Sequence, residues 1–151
     1  MPLSTPASIS NTHQDLLQLL VHAQRLPGKT GRVAEEVAKL VKPHIEKEEE
    51  LFLPLLGILP EVVSGKLSPA SAKRAAKLYT KAREEYPIMI GEHKALEKTL
   101  ARLRRVAEKE GHPTATKFAE LLKQHSLGED QILYPAAILV ERVALQKSKS
   151  A

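Results

Sequence analysis

Two short segments of this 151-residue chain carry the same pattern. His44-Ile-Glu-Lys-Glu48 is followed by Pro54, six residues after its last glutamate, and His125-Ser-Leu-Gly-Glu129 is followed by Pro135 at the same distance. An acidic residue comes directly after each glutamate (Glu49, Asp130), and apolar residues fill the next turn (Leu51-Phe52, Ile132-Leu133). A His and a Glu four residues apart lie one helical turn apart, offset by only about 40° around the axis. Each pair therefore presents an imidazole and a carboxylate side by side. The stripe that holds them also holds Val37 and Val41 in the first copy, and Phe118, Leu122, Ile132 and Ala136 in the second. The polar pair is expected to face a core and not water.

Two more histidines follow the same logic. His13 shares a helical face with Leu16, Leu17 and Leu20, and His93 shares one with Leu96, Leu100 and Tyr86. Burying four imidazoles and two carboxylates together is costly unless something pairs them, and a metal centre does so. One core histidine bonded to one carboxylate is a common structural device. Two inward copies, with a further His on each remaining helix, point instead to a metal site. Imidazole and carboxylate without sulfur suit iron, manganese or zinc, with copper also compatible. Two glutamates cannot neutralise two divalent ions, so a bridging oxide or hydroxide is expected with a dinuclear centre. His22 lies nine residues after His13, about half a turn round the axis, and His112 sits between Gly111 and Pro113. Both read as surface residues.

These side chains need four helices to hold them. Gly and Pro divide the chain at Pro27 to Gly31, at Pro60 to Pro69 and at Gly111-His112-Pro113. The stretches between show helical periodicity and no period-2 strand. Helices are expected at about 8–26, 30–59, 68–109 and 114–145. The third opens on Ser68-Pro69, a cap residue followed by Pro at the first helical position. Its apolar stripe includes Tyr79, and that of the fourth continues through Ile132, Val140 and Val143. Pro43, Pro54, Pro87 and Pro135 fall inside these patterns, so kinks or displaced boundaries are expected. The terminal QKSKSA reads as frayed. Short connections between long helices imply an all-α, up-down-up-down four-helix bundle. It forms a single domain over 1–151, with its core at about 8–145.

Composition narrows the chemistry further. The chain has no cysteine, which excludes disulfides, thiolate metal sites and thiol catalysis. Aromatic residues are 3% and there is no Trp, so base-stacking platforms are poorly supplied. The net charge of +5 favours solubility more than it declares a polyanionic partner. No apolar run reaches the length of a bilayer span, so no membrane partner is expected. The segment MPLSTPASISNTH has neither the basic nor the apolar region of a secretory signal, so the expected location is the cytoplasm.

The order His13, His44-x-x-x-Glu48, His93, His125-x-x-x-Glu129 resembles the hemerythrin-like (HHE cation-binding) family, from His13 to about Val143. The resemblance implies a hemerythrin-like bundle with a non-haem di-iron centre. It also implies that His13 and His44 hold one iron, that His93 and His125 hold the other, and that Glu48 and Glu129 bridge them. The chain departs from the oxygen-carrying members. Those have two histidines spaced by four on the third helix, and an Asp five residues after the fourth-helix His. Here Met89 stands four residues before His93 and Glu97 four after it. Tyr86, Glu97 or water is expected in place of the missing imidazole.

Three functions follow. The first is a di-iron protein that meets oxygen, peroxide or nitric oxide as carrier, sensor or scavenger. The second is a di-iron enzyme that decomposes peroxide. The Glu-x-x-His pattern of ferritin-like enzymes is absent, since no His has a Glu three residues before it. The third is a metal-free helical interaction module, with Lys73, Arg74, Lys77, Lys81, Arg83, Arg102, Arg104 and Arg105 as its basic face. Interleaved Glu84, Glu85 and Glu108 make that face a solvated surface before a phosphate track. The sequence leaves the oligomeric state open.

Overall fold

The computed structural model describes residues 3–149, and the side chain of Tyr79 lies outside what it describes. Among the described residues every regular element is helical and no strand is present. The elements are α1 (Ala7–Gln24), α2 (Gly28–Lys47), α3 (Leu53–Leu56), α4 (Leu59–Val63), α5 (Pro69–Glu110), α6 (Pro113–Gly128) and α7 (Tyr134–Lys149). A π-helical turn, Glu48–Phe52, joins α2 to α3, and a second, Glu129–Leu133, joins α6 to α7. The expected boundaries hold to within a few residues, except that the last helix continues through Lys147 to Lys149 where fraying was expected.

The caps explain where the helices begin and end. Ser68 accepts a hydrogen bond from the Ser71 amide, and Pro69 occupies the first helical turn of α5, as its sequence predicts. Gly111 closes α5 at φ 75°, in the left-handed region that suits glycine. The start of α2 has no side-chain cap of its own. Glu110, the last residue of α5, supplies one from outside. Its carboxylate accepts from the amides of Lys29 (3.0 Å) and Thr30 (2.7 Å) and from the Thr30 hydroxyl (2.6 Å). Gly28 makes this possible, because a Cβ there would lie 2.4 Å from a Glu110 oxygen.

The prolines act differently at different positions. Pro43 and Pro87 sit inside the continuous helices α2 and α5. Pro54 and Pro135 fall in the first turn after the two π turns. A proline ring clashes with the carbonyl four residues back and leaves that carbonyl without its donor. The π turn relieves both by widening the helix to i→i+5 bonds. The Leu53 amide bonds Glu48 O and the Tyr134 amide bonds Glu129 O. The repeated spacing of Glu and Pro is thus the sequence mark of the widened turns.

Each π turn adds one residue, and the added residue rotates everything after it. Straight α-helical phase puts Ile132, Ala136 and Val143 on the inner stripe. Instead Ile132 is 65% exposed, and Tyr134, Ala137, Val140, Glu141 and Ala144 are buried. Of the expected stripe Val140 is buried as predicted, while Ile132, Ala136 and Val143 are displaced for this reason.

α1 packs on α2 and α6, and α5 packs on α2, α6 and α7. One apolar cluster joins Leu16 and Leu20 of α1, Val37 and Val41 of α2, Leu100 and Leu103 of α5, and Phe118 and Leu122 of α6. A second joins Leu53 and Leu55 of α3, Ala72 and Ala75 of α5, and Val140 and Ala144 of α7. A third gathers Leu51, Phe52, Ala82, Met89 and Tyr134. In each long helical stretch the histidines lie between the residues of the first cluster and those of the others.

Glu110 and Glu141 are the two carboxylates whose effect on stability can be tested apart from the histidines. The Thr30 hydroxyl and amide and the Lys29 amide hold the Glu110 carboxyl at about 2, below the usual carboxylate range. That capping contribution is present above pH ~4.5 and is lost as pH falls through the folded value. Glu110→Ala should therefore lower Tm at pH 7, and the gap to the parent protein should close between pH ~4.5 and ~2. Glu141 is buried in α7 with both oxygens lacking a hydrogen-bond partner. Burial raises its carboxyl pKa, against the pull of Arg83 and Arg142. An unsatisfied buried polar group costs about 1–3 kcal/mol, so Glu141→Leu should stabilise the fold by a figure in that range in denaturant titration. The gain should grow as pH rises above ~4.5, where the unfolded chain ionises.

Candidate metal centre

All six residues singled out by type and spacing come together. His13, His44, Glu48, His93 and Glu129 are buried, and His125 is 14% exposed at its side chain. The imidazoles form two pairs. His44 Nε2 lies 2.8 Å from His93 Nε2, and His13 Nε2 lies 3.0 Å from His125 Nε2. This corrects the pairing implied by the family resemblance, which joined His13 to His44 and His93 to His125. Helix adjacency permits either pairing, since α1 packs on both α2 and α6 and α5 on both α2 and α6; the directions of the rings select this one.

The two glutamates lie between the pairs and divide their oxygens among them. Glu48 Oε1 is 2.8 Å from His44 Nε2 and 3.7 Å from His93 Nε2, while its Oε2 is 3.4 Å from His13 Nε2. Glu129 Oε1 is 3.4 Å from His93 Nε2, and its Oε2 is 3.5 Å from His125 Nε2 and 3.7 Å from His13 Nε2. Both Oε2 atoms are buried without a hydrogen-bond partner. Two acceptors orphaned side by side at the centre of a protein are rare and call for a cation.

The donor set fits one. Two nitrogens bound at about 2.1 Å to one ion, at right angles, stand about 3.0 Å apart. Both histidine pairs have that separation. Two ligand groups result, His44/Glu48/His93/Glu129 and His13/His125/Glu129, with ligand atoms within 4.8 Å of one another in each.

Burial opposes protonation of the imidazoles, but the surrounding carboxylates overcome it. His13 and His44 are raised, and His93 is pushed up to about 10 by Glu129, Glu48 and Asp130. Glu129 is held far below the usual carboxylate range, its burial outweighed by the imidazoles of His125, His13 and His93 around it.

Three acidic residues that the spacing argument left unassigned complete the shell. His13 Nδ1 donates to Glu49 at 3.0 Å, His44 Nδ1 to Glu92 at 2.6 Å, and His93 Nδ1 to Asp130 at 2.6 Å. Each carboxylate comes from a different helical stretch than the histidine it holds. Glu49 and Asp130 directly follow Glu48 and Glu129, and Glu92 directly precedes His93. Such a bond fixes ring orientation and aims Nε2 at an ion. Lys47 holds Glu92 in turn at 2.5 Å.

Tyr86 and Glu97 make their contacts away from the histidine nitrogens. Glu97 is exposed and pairs with Lys123 at 3.4 Å. Tyr86 is half-buried, its ring against Phe52 and Tyr134. The phenol beside the histidines is that of Tyr134 of α7, which is fully buried and packs in one cluster with Met89. Its hydroxyl donates to Glu48 Oε1 and lies 3.3 Å from His44 Nε2 and 3.4 Å from His93 Nε2. Burial, then the charges of Glu48 and Glu129, push its pKa far up. Straight helical phase turns a residue five beyond Glu129 about 140° away. The extra residue of the π turn brings it back to about 40°, and Pro135 was the signal for it. His22 is exposed, with the Thr114 hydroxyl 3.5 Å from its ring, and His112 stands half-buried at the start of α6, its side chain making no capping bond. Neither joins the site.

No family model, curated protein or solved structure matches the chain.

Asp130→Asn and Glu92→Gln should each weaken metal binding by about 10–100-fold, the usual effect of losing an outer carboxylate. Glu97→Ala should leave it unchanged. Competition with a chromophoric chelator measures all three, and equal losses in all three would remove the outer shell from the account.

Proposed function

We propose that the protein is a hemerythrin-like four-helix bundle whose buried polar layer holds two iron ions. Its ligand is a small molecule, oxygen, peroxide or nitric oxide, which it carries, senses or scavenges in the cytoplasm. The observation that carries this reading is the division of Glu48 and Glu129 between two histidine pairs, with both Oε2 atoms orphaned. One carboxylate per pair would serve a mononuclear site, whereas two carboxylates that each face both pairs suit two ions. Imidazole and carboxylate donors are compatible with iron, and manganese or zinc is the alternative.

Each residue then has a task. His44 and His93 hold one ion and His13 and His125 the other, with Glu48 and Glu129 bridging. Glu49, Glu92 and Asp130 orient the imidazoles. Phe52 and Met89 exclude water on one side. A pair of iron ions would supply the redox chemistry toward oxygen and its reduced forms. The Tyr134 hydroxyl stands beside Glu48 as a hydrogen-bond donor and an added oxygen ligand for the His44/His93 ion. Reach across the membrane is not part of the reading, since no described helix is long and apolar enough to cross one. The basic face supports a solvated surface and not a polyanion site. Arg102 pairs with Glu36, and Arg104 with Glu108 and Glu120.

Protein loaded anaerobically with ferrous iron should hold about two ions per chain, one for each histidine pair. Glu48→Ala and Glu129→Ala should each fall to one or none, while His22→Ala and His112→Ala keep both. Elemental analysis after desalting reads the result. A ratio that stays at or below one with iron, manganese and zinc alike rejects the dinuclear site.

A further inference from the structure

The aromatic side chains form a line that the metal site does not require. Tyr134 lies parallel to His93, with ring centroids 5.5 Å apart and 10° between planes. Tyr86 meets Tyr134 edge-on at 6.2 Å. Phe52 flanks both, at 5.3 Å from Tyr134 and 6.4 Å from Tyr86. All four spacings are those of rings in contact. The inner end is fully buried, while Tyr86 lines a surface groove of about 580 Å³ with Arg83, Pro135, Ile138, Leu139 and Arg142. With aromatic residues at 3% of the chain, three of them lie in this one line from the ligand His93 to solvent.

We propose that Tyr134 and Tyr86 form a one-electron relay that carries oxidising equivalents from the metal centre to the groove, giving the protein a peroxide-driven oxidation of small reductants at its surface. The proposal rests on the di-iron reading above. In each passage Tyr134 gives one electron to the centre and its phenolic proton to Glu48, whose Oε1 already accepts that hydrogen bond. Tyr86 then gives one electron to Tyr134, which takes its proton back from Glu48, and Tyr86 loses its own proton to water in the groove. A one-electron donor such as ascorbate restores Tyr86 together with a proton. Hydrogen peroxide is the oxidant. It takes up two electrons from two passages and two protons from solvent, which replace the two that Tyr86 releases to the groove, and becomes two waters.

The order of the two tyrosines follows from burial. A radical on Tyr134 is shielded by Phe52 and Met89 from any reductant in solution. Transfer to Tyr86 brings it within reach of a donor and away from the ligand histidines, which a persistent oxidant would damage.

The test uses iron-loaded full-length protein, peroxide, freeze-quenching and electron paramagnetic resonance, with ring-deuterated tyrosine to identify the signal. The parent protein should give a transient tyrosyl radical that ascorbate removes. Tyr86→Phe should keep a radical that survives ascorbate at least tenfold longer, because it is confined to Tyr134. Tyr134→Phe, checked for iron content, should give none. Decay in Tyr86→Phe as fast as in the parent overturns the relay, as does the absence of any tyrosyl signal from protein that holds two irons. A parent protein that takes up no iron overturns the di-iron reading first, and its iron analysis separates that failure from the other two.

Discussion

Everything in this molecule is arranged around two buried carboxylates that must be shared. Glu48 and Glu129 each face both histidine pairs, one oxygen to each. Ionised carboxylates inside a protein are tolerated only with partners that replace water. Here four imidazoles provide them, one from each long helical stretch. The requirement that all four converge fixes how far each stretch advances before it reaches the polar layer. It also fixes which helices lie side by side. The apolar cluster of Leu20, Val41, Leu103 and Phe118 on one side, and that of Leu53, Ala75 and Val140 on the other, hold the layer in place.

The two π turns are the means by which the layer is made. Each starts at one of the two shared glutamates and ends just before a helix that carries proline in its first turn. The widening costs helix geometry, and proline removes the alternative, since a regular turn would clash with its ring. The gain is one added residue of rotation. In the fourth stretch that rotation delivers Tyr134 to the site and turns Ile132 out to solvent. In the second it leaves Leu51 through Leu56 buried against the neighbouring helices. Local strain and site chemistry are the same feature.

The two halves of the centre are unequal. His44 and His93 have carboxylates on both Nδ1 atoms and a phenol beside their Nε2 atoms. His125 is the most exposed of the four histidines, and among the described residues no carboxylate holds its Nδ1. The closed half adjoins the line of aromatic rings, and the looser half faces α1 and α6.

The sequence by itself determined the helical class, the four long stretches and the six polar residues of the layer. Those signals are local. Helical period, Gly and Pro punctuation and the i, i+4 pairing of His with Glu depend only on residues a few positions apart. Even the π turns were written in the doubled Glu-to-Pro spacing, although regular phase was assumed through them and so Ile132 was placed inside. What pairs with what was decided by tertiary structure alone. His13 meets His125 and His44 meets His93, although α1 packs on both α2 and α6 and α5 on both α2 and α6. No spacing within one helix encodes that choice. The same holds for Glu49, Glu92 and Asp130, which reach histidines on other stretches, and for Tyr134, whose hydroxyl reaches Glu48 from 86 residues away. A side chain's direction can be read from its own helix, but its partner depends on how the helices pack.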